Sequence, residues 1–262
     1  MKRVKSKDLE EFKKRIRSSL QSNIYIYGNL MKYGLENDNV LFYSDSGFEF
    51  ILMKYFHDYV FSAEKEIKKS TLKQIADMVN NSSDCAISGV ESSINQLLPF
   101  LKPTKIKKTQ LMKFDASALA NKSQSEGELH IASRDNIPEL VRYFLGVSEL
   151  SFKYTESNVN QRLERAINDD ILAFAREGDS ICYAVIATAI SDISCMLTDI
   201  SVEKSQRNKG FAKRHTTQFC EYLINHKVEN IFLYVESPIA LEVYKKIGFK
   251  YIGDYWVVRF AQ

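Results

Sequence analysis

Apolar positions change their spacing repeatedly along this chain, and each spacing predicts an element. Over residues 7–31, Leu9, Phe12, Ile16 and Leu20 fall on one stripe, which predicts a helix. The stretch "VLFYSDSGFEFILMKYF" (40–56) reads as a β-hairpin with "SDSG" as its turn. "TLKQIADMVNN" (71–81) returns to helical spacing, with Leu72, Ile75, Ala76 and Val79 as its buried face. "CAISG" (85–89) predicts a short strand, "ESSINQLLPFL" (91–101) a helix, and "KTQLMKF" (108–114) a strand.

A similar order follows. "NIPELVRYFLG" (136–146) and "NVNQRLERAIND" (158–169) predict helices, and "ILAFARE", "SICYAVIATAI" and "CMLTDISV" three strands separated by short turns. "FAKRHTTQFCEYLINHK" (211–227) is a helix with the stripe Ala212, Thr216, Phe219, Cys220 and Leu223. "NIFLYV" has the continuous apolar run of a central parallel strand. "PIALEVYKKIG" is a helix, and "YIGDYWVVRF" a closing strand pair or bent strand. Between the two series, "NKSQSEGE" (121–128) holds no apolar residue and reads as a linker. The expected organisation is two α/β domains, 1–122 and 128–262, with mixed sheets and a repeated element order.

Composition narrows the function classes. The 262 residues carry 45% hydrophobic and 26% charged positions, ordinary for a globular chain with a sizeable core. A net charge of +3 gives no global reason to bind nucleic acid. The Lys-rich run 102–113 is a local basic patch that reads first as a solvated face, with a phosphate group or an acidic substrate as the alternative ligand; its lack of aromatic interleaving weighs against nucleic acid. No apolar run approaches the ~20 residues that span a bilayer, and the charged start lacks the apolar segment of a signal peptide. Cys85, Cys182, Cys195 and Cys220 form no metal-binding or redox spacing, so buried thiols of a reduced, cytoplasmic protein are expected. His57, His130, His215 and His226 form no ligand pair either, and no metal is expected.

Chemistry is suggested by the loop "SVEKSQRNKGFAKRH" (201–215). A strand enters it, a helix leaves it, and a second strand is expected to return parallel to the first. A helix N-terminus presents unpaired N–H groups and partial positive charge, and a glycine there admits close backbone approach by an anion. The loop matches neither G-x-G-x-x-G nor G-x-x-x-x-G-K-[ST]. Its own pattern is R-x-x-G-x-A: Arg207, Gly210 and Ala212. A solvated turn and an anion cradle both fit that composition. A second block, "SPIALEVYKKIGF" (237–249), begins just past the next strand. Ser237 suits an N-cap, Pro238 the first helical position and Gly248 the residue after the helix.

Together, in this order and separation, the two blocks resemble the GNAT superfamily of acyl-CoA N-acyltransferases, over about half the chain. The resemblance implies that two parallel strands splay to hold acetyl-CoA. Ile200, Ser201 and Val202 would lie along the pantetheine arm. Arg207, Asn208, Lys209, Gly210, Phe211, Ala212 and Lys213 would hold the pyrophosphate. Ser237 stands where many relatives have asparagine, and Tyr244 where the family tyrosine protonates the departing thiolate. Asp199 is the nearest candidate base for the acceptor amine, with Glu236 behind it; the glutamate many relatives carry at positions matching Met196 or Thr198 is absent. The first half lacks the R-x-x-G-x-A loop, and the resemblance makes it a degenerate GNAT-like domain in tandem with a catalytic one. Acetyl transfer to an unidentified amine is the expected activity; an acyl-CoA-binding regulatory domain and a scaffold that keeps only the fold are the alternatives.

Overall fold

The computed structural model describes residues 1–82, 84–119, 128–150 and 153–260. In chain order the elements are β1 (Lys2–Arg3), α1 (Leu9–Ser18), α2 (Leu20–Tyr33), β2 (Val40–Ser44), β3 (Phe50–Tyr55), β4 (Asp58–Ala63), α3 (Lys69–Asn80), β5 (Cys85–Val90), α4 (Glu91–Leu97) and β6 (Lys105–Phe114). They continue with β7 (Leu129–Ile131), α5 (Ile137–Gly146), α6 (Val159–Asp169), β8 (Ile171–Glu177), β9 (Ser180–Thr188), β10 (Ser194–Val202), α7 (Phe211–Asn225), β11 (Asn230–Val235), α8 (Pro238–Ile247) and β12 (Phe249–Phe260). The mixed α/β class expected from the sequence is observed.

Contacts divide the chain into two compact units, Met1–Leu111 with Tyr251–Gln262, and Met112–Lys250. This division differs from a cut in the 121–128 linker, of which residues 121–127 lie outside the described residues. The last strand of the sequence falls in the first unit, and β6 is divided, Lys105–Leu111 in the first unit and Met112–Phe114 in the second. In the first unit β5 pairs antiparallel with β12, from Tyr255↔Val90 to Phe260↔Cys85. In the second, β6 neighbours β11. The closing segment 251–260 is therefore one strand, and it completes the sheet of the first unit.

The first unit orders its strands β1-β2-β3-β4-β5-β12-β6. The single helix expected over 7–31 is broken at Ser19 (φ −134°, ψ 47°), where the buried Asn23 amide donates to the carbonyl of Ser19 at 3.0 Å. Sequence reading missed β4, because the β3–β4 turn lacks the usual glycine: Phe56 itself takes φ 54°. Leu72, Ile75, Ala76 and Val79 of α3 are buried as expected. Strands β4 and β5 run parallel through Tyr59↔Ile87 and Val60↔Ser88. Just beyond, the backbones come so close that a Cβ on Gly89 would lie 2.2 Å from the carbonyl oxygen of Phe61. The lysine-rich run lies on β6, where Lys108 sits 4.2 Å from the Trp256 ring centroid.

In the second unit the order is β6-β11-β10-β9-β8-β7. Helices α7 and α8 cover one face through Phe219, Cys220, Leu223 and Ile247, which cluster with Cys195, Leu197, Ile231 and Leu233. Helices α5 and α6 cover the other through Leu140, Phe144 and Leu163, with Phe174, Ala184 and Ile186. Strand β9 is apolar on both faces because it is sandwiched between them. All four cysteines are buried, and none is in a disulfide.

Gly89→Ala forces a methyl group into the Phe61 carbonyl. It is expected to destabilise the first unit by about 2 kcal/mol or more, read as a lowered melting temperature. A variant as stable as the parent would show that β4 and β5 can part at this point.

Candidate active site

The parallel ladder between β10 and β11 is short. It runs Ser194↔Asn230, Cys195↔Ile231, Met196↔Phe232 and Leu197↔Leu233, and both strands continue past its last pair. On its other edge, β10 shifts register against β9 between Thr198 and Ser201. Asp199 sits inside this bulge at φ 53°, a left-handed conformation that a non-glycine residue adopts at a cost. The expected parallel return is thus present, and the two strands cease to pair where the candidate residues begin.

Strand β10 leads into the loop. Glu203 caps the turn Lys204–Gln206 by accepting from the Ser205 amide at 2.6 Å. Asn208 (φ 64°) and Gly210 (φ 84°) then both take left-handed conformations, which turn the chain into the first turn of α7. Successive N–H groups in such a turn form a concave anion site. The amides of Asn208 through Lys213 have no hydrogen-bond acceptor among the described residues, while the Arg214 amide starts the helical ladder on Gly210 at 3.0 Å. The space at Gly210 is open: an added Cβ would meet nothing within 4 Å. The loop residues Lys204, Ser205 and Arg207 through Gly210 are exposed.

The loop side chains have partners of their own. Arg207 makes two hydrogen bonds to the Glu149 carboxylate, at 2.5 and 2.8 Å, and its Nε donates to the Val202 carbonyl at 3.2 Å. These bonds hold the Glu149 carboxyl down at about 2. Lys209 donates to Gln206 Oε1 at 2.7 Å. Below the loop, His215 is buried against the rings of Tyr183 and Phe211, at centroid distances of 5.4 and 5.6 Å. Its desolvation favours the neutral imidazole.

Tyr244 lies on α8 within the apolar cluster that includes Leu233, Val235 and Phe211, and its ring meets Phe249 edge-on at 5.9 Å. It is 8% exposed, and burial pushes its phenol well above the ordinary value, so it carries its proton at neutral pH. Ser237 caps α8, its Oγ accepting from the Ala240 amide at 3.4 Å, and Pro238 opens the helix. Gly248 ends it at φ 121°, where a Cβ would strike that of Ala118 at 2.5 Å. The helix boundaries read from the sequence are therefore those observed.

Asp199 is already engaged. Lys153 Nζ donates to its two carboxylate oxygens at 2.7 and 2.6 Å, and the Tyr154 hydroxyl donates to Oδ2 at 2.6 Å. Nearby, Tyr143 donates to Ser201 Oγ at 3.1 Å. Sequence reading missed Glu149, Lys153 and Tyr154, because no element periodicity covers 147–157 to place them. Tyr143 was assigned to a helix but not to the site. Among the described residues, no three metal-ligating side chains cluster, and no helix is long and apolar enough to cross a membrane.

A family profile described as "Acetyltransferase (GNAT) domain" matches residues 145–259. No curated protein matches the chain. Among solved structures, an acetyltransferase from the GNAT family of Colwellia psychrerythraea aligns over 99% of this chain and 98% of its own, with TM-score 0.58 and 12% identity. A GCN5-related N-acetyltransferase from Kribbella flavida covers 80% of this chain and 86% of its own, with TM-score 0.60 and 10% identity. A tandem GNAT protein from the clavulanic acid biosynthesis pathway covers 98% and 97%, with TM-score 0.61 and 10% identity. The fold is that of GNAT acetyltransferases, as the loop and the α8 block had implied. Domain and fold together point to acyl transfer from an acyl-CoA.

Glu149→Gln removes the charge that holds Arg207. It is expected to tighten the binding of inorganic pyrophosphate by roughly two- to fivefold at low salt, measured calorimetrically, in line with an exposed ion pair. An unchanged constant would place Arg207 outside the anion site.

Proposed function

We propose that this protein is an N-acetyltransferase that moves the acetyl group of acetyl-CoA directly to a primary amine. The observation that carries this reading is the end of the β10–β11 ladder at Leu197↔Leu233, followed at once by the left-handed loop and the free amides of α7. A parting between parallel strands exposes backbone groups that a pantetheine arm can bond, and the amides from Asn208 to Lys213 then receive the pyrophosphate. Ile200, Ser201 and Val202 line the parting strand. Ser237, whose hydroxyl caps α8, offers the cofactor less than an asparagine would.

In this reading Tyr244 is the general acid. The tetrahedral intermediate collapses with loss of CoA thiolate, a phenol kept protonated by burial delivers its proton to sulfur, and the second proton that the nitrogen sheds as it becomes the amide restores the phenol. The acceptor must first lose a proton, because an alkylammonium has no lone pair with which to attack. Asp199 takes that role, directly or through a water, once its lysine partner has moved aside. A backbone N–H of β10 polarises the acetyl carbonyl.

The first unit serves as a scaffold without a cofactor site of its own. Its counterpart of the parting strands is closed by side chains of α4. Ser93 Oγ accepts from the Ala63 amide at 2.9 Å and donates to the Ala63 carbonyl at 3.1 Å. Gln96 accepts from the Ile67 amide at 2.9 Å and donates to the Lys65 carbonyl at 3.1 Å. The backbone groups at the end of β4 and in the following turn are thereby consumed.

Acetyl-CoA titrated calorimetrically into the parent is expected to bind, and binding should be lost in Gly210→Trp, whose side chain fills the concave loop. Tyr244→Phe should keep cofactor affinity while lowering turnover with an amine panel by about a hundredfold or more, followed as released CoA thiol. Binding without turnover in the parent would favour a non-catalytic acyl-CoA-binding domain. No binding by a folded parent at millimolar ligand would leave the fold alone.

A further inference from the structure

The pair formed by Asp199 and Lys153 is lopsided: the aspartate side chain is 7% exposed and the lysine 31%. A carboxylate so enclosed needs a cation and hydrogen-bond donors in contact with it. Its two donors are held very differently. Tyr154 is 3% exposed and packs 4.6 Å from the ring of Phe144, so its hydroxyl is fixed in the core. Lys153 reaches in from the surface on an unbranched stem, and can withdraw.

We propose that Lys153 is a tethered occupant of an ammonium-binding position on Asp199, and that the acceptor which replaces it is a primary alkylammonium. This inference rests on the acetyltransferase reading for its location and deepens it by naming the acceptor class. Asp199 lies two positions past the last β10–β11 pair, where the strands part. The bulge and its left-handed backbone turn Asp199 out of the strand's regular alternation. The position suits a compact ammonium with several N–H groups: Lys153 Nζ contacts both carboxylate oxygens and lies 5.7 Å from the Tyr154 ring centroid. An acceptor bearing a carboxylate next to its amine would bring a second anion against Asp199, which disfavours α-amino acids. The class that fits is an alkyl chain ending in a primary amine, as in a diamine or a lysine side chain.

The test titrates n-butylamine into the full 15N-labelled chain without cofactor, following the Asp199 and Ser201 amides. Lys153→Met keeps an unbranched stem and removes the charge; Lys153→Gln is the second variant should the first fold poorly. A competitor held in place lowers apparent affinity by the fraction of time it occupies the position. The expected result is a dissociation constant about fivefold or more lower in Lys153→Met than in the parent, with the gain erased when Asp199→Asn is added. Equal constants in parent and variant, or a gain that survives Asp199→Asn, overturn the proposal. Acetyl-CoA titrated into the same samples separates the two readings. Cofactor binding without a butylamine gain removes the ammonium position and leaves the transferase. A butylamine gain without cofactor binding does the reverse.

Discussion

The candidate site of the second unit depends on one parallel ladder that stops after its fourth pair. Had β10 and β11 paired to their ends, the backbone groups past Leu197 and Leu233 would be spent on each other. Two local conformations accompany the parting. The bulge at 198–201 bends β10 on its other edge, and the left-handed residues at 208 and 210 swing the chain into α7. The same few residues thus leave two sets of polar groups open, one along the strand and one at the helix start. An anionic cofactor with a long amide-bearing arm matches both.

The first unit shows what happens when the same topology is closed. Its β4 and β5 pair parallel over two positions and then approach so tightly that only glycine fits at position 89. Ser93 and Gln96 of α4 take up the amides of Ala63 and Ile67. Two units of similar element order therefore differ in whether the next helix presents side chains that reach back to the strand ends.

Much of this was legible in the sequence. The periodicities at 71–81, 159–169 and 211–225 located their helices, since each buries one apolar stripe. Ser237, Pro238 and Gly248 marked the limits of α8 because each residue type fits one special backbone position. What stayed hidden was non-local. An apolar strand announces that it will be buried but not beside which partner, so the neighbours of β6 and β12 could not be read from "KTQLMKF" or "YIGDYWVVRF". Left-handed turns at Phe56 and Asp199 carry none of the usual glycine signal. Lys153 and Tyr154 meet Asp199 across more than forty positions, and their roles follow only from that meeting.

The place of β12 also bears on the order in which the chain is made. Residues that complete the first sheet, such as Tyr255 bonded to Ser88, lie 167 positions further along. At about 5–20 residues per second, the edge of β5 emerges from the ribosome roughly ten to thirty seconds before β12 exists to cover it. A β edge left open for that long is a template for any extended segment nearby, including the β12 of a neighbouring nascent copy. The chain therefore places its heaviest demand for shielding on the interval between those two events, when half of it is already able to collapse and its closing strand has yet to be translated.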